Sequence, residues 1–121
     1  MADRVLFISW GENVHGREQR GLEVFNETVG MYGRFQQEGR IESFDVVLLN
    51  PSTGIDGYLA LRGSAAQLAA IKEDEEFRRG LINATLIVQG LKMTDGYANE
   101  GIAREMEMYQ EAISNVEQHT T

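Results

Sequence analysis

The 121-residue chain contains no cysteine, which excludes disulfides and thiolate chemistry and says nothing about the redox compartment. Basic residues are scarce: 11 Lys and Arg stand against 19 acidic residues, a formal charge of −8. Nucleic acid and anionic membranes both reward a basic patch, so neither is an expected partner. Long apolar runs are absent too. The run at residues 5–8 is too short for a signal-peptide core, and nothing approaches membrane-spanning length, so the expected location is cytoplasmic.

The motifs of common chemistries are missing as well. There is no Gly-x-Gly-x-x-Gly, no phosphate loop and no nucleophile elbow. No histidine and carboxylates stand at metal spacing. The acidic run Glu73-Asp74-Glu75-Glu76 lacks the alternating oxygen ligands and the glycine of a calcium loop, so it reads as a solvated junction between helices. No metal and no cofactor is expected.

What is present is ordinary in amount, with 42% hydrophobic and 25% charged residues, and distinctive in pattern. The length suits one domain, residues 1–121, with a single core. Side chains alternate along a strand, so Val5 and Phe7 oppose Leu6, Ile8 and Trp10. Val46 and Leu48 oppose Val47 and Leu49 in the same way, and Leu59 and Leu61 oppose Tyr58 and Ala60. A sheet covered by helices on one side normally has a polar outer face. Here both faces are apolar, and a chain this short has few elements left to cover the second. The expected cover is another copy of itself, because a monomer would expose an apolar patch above the few hundred Å² usual for soluble monomers.

Helical periodicity begins after the loop at residues 11–16, where Leu22, Phe25, Val29 and Tyr32 fall three or four apart and Val24, Thr28, Met31 and Phe35 widen the stripe. Gly21, Gly30 and Gly33 weaken a helix interior, which suggests close packing on the sheet, and Gly39 suits the C-terminal end. Strands follow at 41–49 and 55–62, joined through a turn cluster that holds the single proline, Pro51. Ser64 and Gln67 form a capping box ahead of Leu68 and Ile71. A break at the acidic run precedes a second helical piece with Phe77, Leu81 and Ile82. The fourth strand is expected at 86–93. An amphipathic helix at 98–116 carries Ile102, Met106, Tyr109, Ile113 and Val116 on one face, and residues 117–121 read as a frayed end.

The order β-α-β-β-α-β plus a helix is the α+β, ferredoxin-like split arrangement of an antiparallel sheet, with strand order 4-1-3-2 expected. On that order, on the strand end Gly57-Tyr58-Leu59-Ala60-Leu61-Arg62-Gly63 and on Glu75-Glu76-Phe77, the chain resembles the dimeric α+β barrel superfamily over residues 4–94. The stretch Trp10-Gly11-Glu12-Asn13-Val14-His15-Gly16-Arg17-Glu18-Gln19-Arg20 resembles an uncharacterised bacterial branch of it. The resemblance implies a homodimer packed sheet against sheet about a two-fold axis and a ligand cavity between the sheet and its helices. Members include cofactor-free monooxygenases, haem-degrading enzymes, lactone isomerases and ligand-binding regulators, so fold alone does not choose a function. The haem-degrading members carry a ligand histidine in the second helical region. Residues 64–85 contain none.

One end of the sheet gathers the candidates for chemistry. His15 is the candidate general base, since histidine alone titrates near neutral pH without help; the plain reading is a solvated loop residue. His119 in the tail is incidental. Trp10 and Asn13 can supply an aromatic wall and a polar anchor for a planar ligand, or Trp10 can be packing. Tyr58 and Arg62, neighbours on one strand face, can orient a carboxylate or phenolate, although an ion pair across a dimer interface suits Arg62 better. The expected function is therefore a homodimer that binds a small apolar or aromatic molecule through Trp10, Asn13 and Tyr58. A cofactor-independent monooxygenase or isomerase with His15 as base is the alternative. A structural module without ligand, in which the last helix builds a higher oligomer, is the third.

Overall fold

In a computed structural model that describes residues 2–51 and 54–116, the first segment forms strand β1 (Arg4–Trp10) and leads into helix α1 (Glu18–Gln37). Strands β2 (Ser43–Leu48) and β3 (Gly57–Gly63) follow, then helices α2 (Ala65–Glu73) and α3 (Glu75–Thr85), strand β4 (Lys92–Tyr97) and helix α4 (Glu100–Ser114). The sheet is antiparallel in the order β2-β3-β1-β4, as the topology requires. Ser52, Thr53 and the tail with His119 lie outside the described residues. Among the described residues, no helix is long and apolar enough to cross a membrane.

Register decides which side chains share a face. Leu6 stands opposite Leu61 and Ile8 opposite Leu59, and this face packs on Met31, Tyr32 and Phe35 of α1, Leu68 and Ile71 of α2 and Phe77 of α3. The other face carries Phe7 opposite Ala60, Ser9 opposite Tyr58 and Val47 opposite Tyr58. Among the described residues, no element is stacked on it. The Phe7 and Tyr58 rings lie 5.1 Å apart there. Arg62 Nε donates to Asp45 Oδ2 at 3.1 Å on that same face, an ion pair between neighbouring strands of one chain.

Two local devices join the helices. Ser64 accepts from the Gln67 backbone N–H at 3.1 Å while the Gln67 side chain accepts from the Ser64 N–H at 2.8 Å, so the capping box read from the sequence is formed. Asp74 then ends α2 and caps α3, accepting from the Phe77 N–H at 2.9 Å and from Arg40 at 2.7 Å. The Arg40 guanidinium, helped by that N–H, holds the Asp74 carboxyl below its ordinary range. A carboxyl depressed in the folded state stabilises the fold above its unfolded pKa, and the gain is lost as pH falls through the lower, folded one. Replacing Asp74 with Ala is expected to cost about 1 kcal/mol in urea unfolding at neutral pH and to remove part of the acid sensitivity.

Two expectations need correction. The fourth strand lies at Lys92–Tyr97, not at 86–93. Residues 86–88 leave the end of α3, with Ile87 and Val88 turned inward and Leu86 exposed, whereas β4 is an edge strand, exposed along most of its length and correspondingly polar. Of the three α1 glycines only Gly21 is closely approached: a Cβ there would meet Asn13 Oδ1 at 3.1 Å and Ile87 Cγ2 at 3.2 Å, while Gly30 and Gly33 face open space.

Helix α4 is fastened at its start. Asn99 Nδ2 donates to the Ala2 carbonyl at 2.5 Å, Arg104 pairs with Asp3, and Gly101 lies directly on the Asp3 carbonyl, where no Cβ fits. Beyond that joint, Ile102, Met106, Met108 and Tyr109 are exposed.

Candidate functional site

The site grows out of a backbone clasp at the end of β1. Gly11 N–H donates to the Gln89 carbonyl at 2.7 Å, Gln89 N–H to that of Glu12 at 2.8 Å, and Val14 N–H to that of Ile87 at 2.7 Å. Arg17 Nη1 adds a bond of 2.5 Å to the Leu86 carbonyl. These bonds hold the loop after β1 against the segment after α3, and so fix the spacing between α1, α3 and the sheet at this end. The helices do not close on the sheet beneath the clasp. A cavity of about 310 Å³ lies between them.

Its floor is Ile8, Trp10, Leu48 and Leu59 from the sheet, and its walls are Leu22, Val24, Phe25, Thr28, Met31 and Tyr32 of α1 with Gly80, Leu81 and Ala84 of α3. Ile87, Val88, Leu91 and Asn13 close the clasp end. The Trp10 indole lies across Gly57, where a Cβ would stand 2.6 Å from Trp10 Cζ2, and its other side meets the Phe25 ring edge-on at 6.2 Å. Glycine at 57 is what lets the indole lie flat on the sheet. Among the lining residues, Glu18 alone carries charge at neutral pH. Its carboxyl is held below the ordinary range by its own backbone N–H and by that of Gly16, which donates to it at 3.0 Å. Among the described residues, no lysine, arginine or histidine lines the cavity.

The structure therefore brings together two of the four expected site residues, Trp10 and Asn13. Tyr58 does not join them. It stands opposite Ser9 rather than Trp10, on the sheet face away from the helices. His15 is exposed in the loop before α1 and is not among the residues that line the cavity. Phe25, Leu81, Ala84 and Leu91 complete the walls; their helical spacing marked some of them as buried, but nothing in the sequence marked them as cavity rather than core.

No family model matches the chain, and no curated protein matches it. Among solved structures it is similar to a dimeric protein of unknown function and ferredoxin-like fold from Bacteroides fragilis NCTC 9343. The TM-score is 0.59 at 13% identity, over 78% of this chain and 96% of that one. The fold is thus α+β and ferredoxin-like, as its topology already states.

Proposed function

We propose that two copies of this chain pair through their open sheet faces and that each holds one small, uncharged, largely apolar molecule between α1, α3 and the sheet. The observation that carries the reading is the cavity: its walls are aliphatic and aromatic, with few polar groups, the usual character of a small-molecule site. At the ~30 Å³ that a water molecule occupies in the liquid, it has room for about ten non-hydrogen atoms. A cation-free lining offers an anionic ligand no partner for its charge, and burying an unpaired charge is costly. The pairing rests on the apolar patch of Phe7, Tyr58, Ala60 and Val47, on a face that also carries Ser9, Asp45, Arg62, Lys92 and Thr94, and the dimeric state of the similar Bacteroides protein is in keeping with it. The position of His15 weighs against the enzymatic alternative.

Trp10 is the sole tryptophan, so its emission reports what enters the cavity. Isopentylbenzene, which has the right size and no polar atom, is expected to change that emission saturably. Ala84→Phe, which fills the space from α3, is expected to weaken binding at least about tenfold, because overpacking leaves no room for the guest. No saturable change in the unaltered protein, or equal binding by the variant, would overturn the reading.

A further inference from the structure

Tyr32 is the one polar side chain lining the cavity that is almost wholly buried, at 2% exposure. Its ring is held by Phe35, Phe44 and Phe77, with centroids 6.2, 5.9 and 6.3 Å away. Its hydroxyl has no hydrogen-bond partner among the described residues. A buried hydroxyl normally finds one, because leaving it unpaired costs desolvation. Among the described residues, every fully enclosed polar side-chain atom is satisfied, so the Tyr32 hydroxyl is not fully enclosed. Tyr32 lines this cavity and is not among the residues of the shallow outer groove between α1 and α3.

We propose that the cavity's ligand carries a neutral carbonyl oxygen at its leading end and that the Tyr32 hydroxyl donates a hydrogen bond to it. The inference rests on the cavity reading above and narrows it, from apolar molecules in general to small ketones, esters or lactones with an apolar body. Burial pushes the Tyr32 phenol up, beyond the range where it would ionise, and no charged partner opposes that, so the hydroxyl keeps its proton and acts as a donor. The three surrounding rings hold its direction. Trp10 and Asn13, near the clasp, meet the trailing end. The ligand is thus gripped by one directional bond inside and by shape along its length.

A matched pair of probes tests this: 4-phenylbutan-2-one, and isopentylbenzene, which has the same skeleton with a methyl group in place of the oxygen. Tyr32→Phe removes only the hydroxyl. It is expected to weaken the ketone roughly fivefold and to leave the hydrocarbon within twofold. In the unaltered protein, the carbonyl stretch of the bound ketone is expected at lower wavenumber than in hydrocarbon solvent. This infrared reading needs no variant, and so it holds even where Tyr32→Phe does not fold. An unshifted carbonyl band, or a loss that is equal for both probes, would overturn the anchor and leave the cavity reading standing. Failure of both probes to bind the unaltered protein would overturn the two together.

Discussion

Ala60→Arg is expected to raise the dissociation constant of the proposed dimer by at least two to three orders of magnitude while the subunit stays folded. Ala60 lies at the centre of the sheet, opposite Phe7 of β1 and Asp45 of β2, on the face turned away from the helices. An arginine placed there leaves the sheet away from the core, and in a lone subunit its long stem lets the guanidinium reach water. In a sheet-to-sheet dimer the same group is buried without a partner, and two-fold symmetry places it there twice. An uncompensated buried charge costs about 3–5 kcal/mol, and each 1.4 kcal/mol is a factor of ten. Sedimentation velocity over a concentration series reads the constant, and circular dichroism checks the fold. A variant that stays as dimeric as the parent would move the interface elsewhere, with the exposed stripe of α4 as the next surface to alter.

The largest loss of stability is expected from Phe35→Ala. Phe35 is fully buried between α1 and the sheet, its ring against Tyr32 and under the Arg40 guanidinium, which lies 4.3 Å from the ring centre. Truncation removes the apolar burial and leaves a hole that rigid neighbours fill only in part, for a cost of about 3–5 kcal/mol. Against a total of about 5–15 kcal/mol for a typical domain, that is a large share. It also frees Arg40, which otherwise reaches Asp74 and steadies the junction between α2 and α3. Urea unfolding at fixed protomer concentration is expected to show a lower midpoint with an unchanged slope. A loss below about 1 kcal/mol would mean that the core is not centred on this ring.

Much of the fold was legible because local and global signals agree. Leu6 and Ile8 alternate against Val5 and Phe7, Ser64 and Gln67 cap as a pair, and the acidic run breaks the helix at Asp74. The position of the fourth strand is not legible from the sequence, because apolar content is the usual mark of a strand. Leu86, Ile87 and Val88 are apolar, but they follow a helix and Ile87 and Val88 line a cavity, whereas the edge strand Lys92–Tyr97 is exposed and reads as polar. The site was half legible, for a related reason. When both faces of a sheet are apolar, pattern does not fix register, and register alone separates Tyr58 from Trp10. The loop that carries His15 had no periodicity to place it. Tyr32 was visible as a core residue, but its unpaired hydroxyl is a three-dimensional fact.

Native mass spectrometry of the full chain, with and without 4-phenylbutan-2-one, reads the pairing and the cavity in one spectrum. The expected species is a dimer of twice the 13.6 kDa chain mass that takes up one ketone per subunit, two in all, with uptake suppressed by Ala84→Phe. A monomer at the chain mass would contradict the pairing, and a dimer whose uptake is nil or indifferent to Ala84→Phe would contradict the cavity.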